Sequence, residues 1–142
     1  PSLCELTLDL TNNEVGAAGA LALARLRESN KLRVLHLDLT GNDIRAAGAR
    51  AVAALKDSRG LRKLTLVLTG NAVGVHGAMA LASLGDSPRL QTLSLDLGDN
   101  DLGIEGLQAL GTLQTSPSVR SVTLDQATLW LLHVHGLINS RS

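Results

Sequence analysis

Phenylalanine and tyrosine are missing from this 142-residue chain, and tryptophan occurs once, at Trp130. Globular cores usually lean on several large rings, so the interior here must be assembled from Leu, Val and Ala in thin layers. Cysteine is as scarce. Cys4 stands alone, which excludes an internal disulfide and fits a reducing compartment such as the cytoplasm, as does the want of a signal-like segment ahead of Pro1. Net charge is lacking too, since 13 Lys plus Arg balance 13 Asp plus Glu. No overall basic field then points to nucleic acid, and no polybasic run to a membrane surface. No apolar run approaches the roughly 20 residues that cross a bilayer. The chain opens at Pro1 in the middle of a pattern, as a piece of a longer protein would.

What is present is repetition. LTLDLTNNE at 6–14 returns as LHLDLTGND at 35–43, LTLVLTGNA at 64–72 and LSLDLGDND at 93–101. The leucines that open each unit are Leu3, Leu32, Leu61 and Leu90, followed by Val119, and the step is 29 residues throughout. Asn13, Asn42, Asn71 and Asn100 keep that step, and so do Gly19, Gly48, Gly77 and Gly106. A fixed period of this length marks a stacked array of small structural units. The units run 3–31, 32–60, 61–89 and 90–118, with a degenerate unit or cap at 119–142, in one domain spanning 1–142.

The unit 32–60 shows how each copy folds. Leu35, Leu37 and Leu39 alternate with His36 and Asp38, the period-2 signature of a strand with one buried face. Gly41-Asn42 then ends the strand. Turns inside a stack leave amides and carbonyls that cannot stay unpaired. An Asn amide, which donates and accepts, can serve them once per repeat. Past the turn the period becomes helical, at Ala49, Val52, Ala53 and Leu55 and their equivalents, with Gly48 allowing close approach. Ser29, Ser58, Ser87 and Ser116 close the helices. One such unit cannot cover its own leucine face, so only stacking stabilises it. Consecutive strands with helical crossovers form a parallel sheet with right-handed connections. Helices are wider than strands, so the strands line the inner side of a curve.

The carrying pattern, LxxLxLxLxxNx[VIL]xxxG[AL]xx[LV]xxL, is followed closely over 3–118 and loosely over 119–142. It resembles the leucine-rich repeat family, in its long, helix-containing, ribonuclease-inhibitor-like form. The resemblance implies an α/β leucine-rich repeat solenoid, a right-handed horseshoe fragment with its parallel sheet concave and its helices convex. It also implies a non-catalytic scaffold that binds protein through the concave face and its bordering loops. The family core is usually two residues shorter before the Asn. The added Leu-x step predicts a longer strand or a bulge at Leu10, Leu39, Leu68 and Leu97.

Outward strand positions form candidate binding columns. One reads Thr7, His36, Thr65, Ser94, Thr123, and the next Asp9, Asp38, Val67, Asp96, Asp125. The Asp column is either an acidic strip awaiting a basic partner or a solvated edge multiplied by duplication. One carboxylate per strand is too sparse for a calcium site. A third column, Cys4, Arg33, Arg62, Gln91, Arg120, lies about 16 Å upstream at strand rise and would make the inner face basic at one border and acidic further along. His133 and His135 lack a third ligand nearby, so no metal is expected. No cofactor motif or catalytic constellation is found either. Trp130 falls outside the core by pattern. LWLLHVHGLI at 129–138 either caps the stack or contacts another domain, and at the first unit further repeats or another molecule would cover Leu3, Leu6, Leu8 and Leu10. Three functions stay open: a protein-interaction module; a regulatory arm that stimulates a GTPase or senses a nucleotide switch, which only the resemblance to helix-containing members of the family implies; and an array whose task is shape alone.

Overall fold

A computed structural model describes residues 3–138. Pro1, Ser2 and 139–142, the end of the degenerate fifth unit, lie outside the described residues. The strands are β1 (Glu5–Asp9), β2 (Val34–Asp38), β3 (Lys63–Val67), β4 (Thr92–Asp96) and β5 (Ser121–Leu124). The helices are α1 (Gly16–Leu23), α2 (Arg45–Ala53), α3 (Gly74–Ala82), α4 (Gly103–Gly111) and α5 (Gln126–Val134). The sheet is parallel in chain order β1-β2-β3-β4-β5. Each residue stands beside its equivalent in the next unit, so Leu8, Leu37, Leu66, Leu95 and Leu124 form one row. This is an α/β solenoid. Leu37, Leu66, Ile44, Val52, Leu81 and Leu110 belong to a single continuous core.

The added Leu-x step produces no bulge. Pairing stays one-to-one through Asp9, Asp38, Val67 and Asp96. The ladder gains two rungs beyond the strand ends: the Leu10, Leu39 and Leu68 amides donate to the carbonyls of Asp38, Val67 and Asp96, each at 2.8 Å, and the Asn12, Gly41 and Gly70 amides to those of Thr40, Thr69 and Gly98. Two extra residues preserve the parity of the pleat, so Leu39, Leu68 and Leu97 fall on the buried face like the leucines before them. The helices also depart from expectation. Each of the first four ends before its last core residue, and Leu55, Leu84 and Leu113 sit on 3-10 turns instead. The tighter winding of a final 3-10 turn lets the chain leave the helix sooner. The closing serines begin the next unit as much as they end the last, since Ser58 Oγ accepts from the Leu61 amide at 3.0 Å and Ser87 Oγ from Leu90 at 3.1 Å.

Each turn between strand and helix alternates left-handed with ordinary backbone. Asn12, Glu14 and Gly16 have positive φ, as do Gly41, Asp43 and Arg45, then Gly70, Ala72 and Gly74, then Asp99, Asp101 and Gly103. Between them Asn42 and Ile44, Asn71 and Val73, and Asn100 and Leu102 are buried. Ala72, at φ 55°, has neither the freedom of glycine nor a polar side chain to bond its own backbone. An L-residue there costs about 1–2 kcal/mol, against roughly 0.5–1 kcal/mol of extra chain entropy for glycine. Ala72→Gly should therefore raise stability, by about 0.5–1 kcal/mol in urea unfolding; a loss would contradict the positive φ.

The asparagines join neighbouring turns. Asn71 Oδ1 accepts from the amides of Asn42 (2.9 Å) and Ile44 (3.3 Å), while its Nδ2 donates to the carbonyls of Leu39 (2.8 Å), Leu68 (2.9 Å) and Thr69 (3.3 Å). Asn42 and Asn100 repeat the arrangement. The Asn13 side chain does not share it: it is exposed, and its Nδ2 donates only to the Thr11 carbonyl among the described residues. The helices stack through small residues. A Cβ placed on Gly77 would lie 2.5 Å from Val73 Cγ1 and 3.1 Å from Ala49 Cβ, and one on Gly106 would lie 2.9 Å from Ala78 Cβ, so the glycines admit the buried residue of their own turn and the neighbouring helix.

The fifth unit abandons the turn. Asp125 caps α5 directly after β5, accepting from the Thr128 amide (3.0 Å) and hydroxyl (2.8 Å). Its Oδ1 also accepts from the Leu97 amide at 2.8 Å, the rung that a main-chain carbonyl fills in earlier units. Thr128 and Leu132 are buried, and Leu129, Leu131, Leu137 and Ile138 pack against the core. Trp130 stays 63% exposed.

Candidate functional site

The strands alternate buried and accessible positions. The helices and the leucine core occupy one face of the sheet, and the other face is open among the described residues. Parallel sheets are normally covered on both faces. Here the alternation makes short polar side chains affordable on one of them. Thr7, His36, Thr65, Ser94 and Thr123 form the central row, each beside the next. A row that the sequence reading passed over runs parallel to it, Glu5, Val34, Lys63, Thr92 and Ser121. Its signal was available, two residues ahead of the central row on the same pleat.

The Asp row has a structural task that its spacing did not disclose. Asp9 Oδ1 accepts from the amide (3.1 Å) and hydroxyl (2.6 Å) of Thr11, and Asp38 Oδ1 does the same with Thr40 at 3.1 and 2.7 Å. Asp96 Oδ1 accepts from the Gly98 amide at 3.1 Å. These Asx turns bend the chain at the end of each strand. The Thr11 hydroxyl, then its amide, hold the Asp9 carboxyl below its ordinary range; desolvation opposes them, and the nearby His36 adds the least of the four effects. A group so depressed stabilises the fold above its unfolded pKa, and that contribution is lost as pH falls through the lower folded value. Asp125, the fifth member by sequence, caps α5 instead of joining the face.

The arginine column also turns inward on the chain. Arg33 Nη1 donates to the carbonyls of Asn30 (2.7 Å) and Gly60 (3.3 Å), and Arg62 Nη1 to those of Arg59, Gly60 and Leu61. Both guanidinium groups clasp the return loops at the strand entrances, while Arg120, Gln91 and Cys4 are exposed beside them. The columns therefore differ in availability: the central row presents its side chains outward, whereas Asp9, Asp38, Asp96, Arg33 and Arg62 are partly engaged in the fold.

Charge is nonetheless segregated. Asp9, Glu14, Asp38, Asp43, Asp96, Asp99 and Asp101 gather at the strand ends and following turns, where Arg45 is the cation that meets them, bonded to Asp43 at 3.0 Å. That contact, first through its hydrogen bonds, lowers the Asp43 carboxyl and raises the Arg45 guanidinium. Arg27, Lys31, Arg33, Arg59, Arg62, Lys63, Arg89 and Arg120 lie at the return loops and strand entrances. Glu5, Glu28, Asp57 and Asp86 lie among these cations, so a formal charge of zero conceals one acidic edge and an opposite edge of mixed sign with a basic excess. Among the described residues no group of three or more His, Cys, Asp or Glu side chains converges for a metal, and no helix is long and apolar enough to cross a membrane.

Comparison with known proteins bears on this arrangement. The family model described as "Leucine Rich repeat" matches residues 6–24, 30–53, 60–82 and 90–111. The four matched segments fall on the first four strand-to-helix units and together cover more than half of the chain. No curated protein matches it.

Proposed function

The chain belongs to the leucine-rich repeat family, and on that footing we propose that its open strand face docks a protein ligand of mixed charge. Leucine-rich repeats generally mediate protein–protein interaction, and the family is typically a non-enzymatic scaffold. The observation that carries the reading is the uncovered face of a five-stranded parallel sheet, floored by small polar side chains and bordered by an acidic edge and one of mixed sign with a basic excess. Short Thr and Ser side chains lose little entropy on being covered. The flanking charges set orientation and on-rate more than affinity. The contacts fall on Thr7, His36, Thr65, Ser94, Thr123 and Lys63, with Asp9, Asp38, Asp96, Arg33, Arg62 and Arg120 contributing at the rims. In this reading the chain is an interaction segment of a longer repeat protein, of the ribonuclease-inhibitor-like type, and α5 caps its last unit.

The test must spare the side chains that bond the fold. Thr65→Arg with Ser94→Arg reshapes the centre of the face at two residues that bond no Asx turn, and Arg50→Glu on the exposed side of α2 serves as the control. Proteins retained by the immobilised chain should be lost with the double variant, kept by the control, and released more readily as salt rises. Equal retention by all three chains would reject the strand face as the docking surface.

A further inference from the structure

On the helix side of the fold, away from the strand face, the third unit departs from the others at one place. The 3-10 turn that ends each helix carries a long side chain there, Arg27, Lys56 and Gln114, each half-buried. The third unit has Gly85, which is buried. In the first unit the place holds a cation bonded to the fold, since Arg27 Nη1 donates to the Ala24 carbonyl at 3.1 Å. A Cβ on Gly85 would meet Leu113 Cδ2 at 2.9 Å and Ser116 Oγ at 3.6 Å, so a side chain at this position would point towards the fourth unit. Between the two units lies a notch of about 240 Å³, lined by Gly85, Asp86 and Leu113 together with Thr112, Thr115 and Ser116.

The side chains of this lining are acceptors. Thr112 Oγ1 donates to the Ala109 carbonyl at 2.6 Å, Thr115 Oγ1 to that of Thr112 at 3.2 Å and Ser116 Oγ to that of Gly85 at 2.7 Å. A hydroxyl has one hydrogen, so each of the three offers only lone pairs to anything else. Ser116 Oγ already accepts from the Ser118 and Val119 amides, which leaves Thr112 and Thr115 as the open acceptors. Glu28 in the first unit is paired with Arg25 at 3.2 Å. Its equivalent Asp86 is exposed, and its carboxylate bonds no other group among the described residues. No Lys or Arg lines the notch.

We propose that this notch binds the end of a lysine side chain presented by a protein partner. Three separate acceptors, one of them charged, suit a compact head with three donors better than a planar fork. The methylene stem has Leu113 to lie against. The place is one where this array's own Arg27 and Lys56 stand, which favours a protein side chain over a free amine. The site lies apart from the strand face and does not rest on the docking proposed there.

The test titrates the chain with Nα-acetyl-lysine methylamide and follows the backbone amide shifts. Saturable shifts should be confined to Gly85, Asp86 and 112–116, with a dissociation constant on the order of 1 mM for a ligand of this size. Capped norleucine, and the lysine compound acetylated at Nε, should leave those amides unmoved. Gly85→Lys fills the notch from within and should abolish the shifts while the chain stays folded, as the second unit does with Lys56. Asp86→Asn, at an exposed position, should weaken binding about two- to fivefold. Capped norleucine as effective as capped lysine, undiminished binding to either variant, or shifts spread equally over Asp43, Asp99 and Asp101 would overturn the proposal. Tighter binding of n-butylammonium than of capped lysine would overturn it as well, since the notch would then be one for a free amine.

Discussion

Asn71→Ala is expected to cost about 3–6 kcal/mol in equilibrium urea unfolding, more than any other single polar substitution in the chain. The size follows from which partners are left with nothing. The Leu68 carbonyl also accepts from Asn100 Nδ2, and the Thr69 carbonyl from the Gly41 amide. The amides of Asn42 and Ile44 and the carbonyl of Leu39, by contrast, depend on Asn71. Three buried main-chain groups without partners cost about 1–3 kcal/mol each. A water in the vacated space that reaches one of them leaves two bare, which keeps the loss in the lower part of that sum, at about 3–6 kcal/mol. Domains of ordinary stability have about 5–15 kcal/mol in all, so the variant should be folded only marginally. Because the lost bonds join the second unit to the third, amide protection should fall first in the two N-terminal units, which cannot stand alone as a stack. Asn13→Ala, at an exposed position, is the matched control, and a cost below about 1 kcal/mol at Asn71 would show that the turns do not depend on it.

Leu66→Ala should cost about 3–5 kcal/mol, and Leu8→Ala only about 1–2 kcal/mol, although the two leucines occupy the same place in their repeats. Leu66 is fully buried and lies between Leu37 and Leu95 in the row. Removing its branched end leaves a cavity that flanking layers cannot close without breaking the one-to-one register. Leu8 is half-buried at the open end of the stack, beside Leu37 alone, so less apolar surface is lost and no enclosed cavity remains. Denaturant midpoints of the two variants provide the check. Equal losses would mean that the units carry separate cores rather than one shared interior.

The acidic and basic columns show where side-chain chemistry departs from pattern. Asp9, Asp38 and Asp96 look like a surface strip because they recur on the outward parity of the strand. Each instead bends the chain through a bond to the residue two positions on. The D-L-T spelling of the first two units contained that signal, but an Asx turn and a free carboxylate have the same spacing in sequence. Arg33 is similar, since one of its bonds goes to the Gly60 carbonyl, in a return loop whose path is fixed only when the next unit stacks.

From residues alone one could obtain the 29-residue step, the order of strand, turn and helix, the leucines of the core and a buried role for the asparagine. All of these depend on a period, and translation along the stack turns a sequence interval directly into a spatial neighbour. The fold alone decided the unbroken register past Leu39 and Leu68, the left-handed alternation in each turn and the row running from Glu5 to Ser121. It also decided the conversion of Asp125 from a face residue to the cap of α5. Those depend on where main-chain donors and acceptors come to rest after the units have stacked, and a carboxylate or guanidinium turns to whichever of them lies within reach.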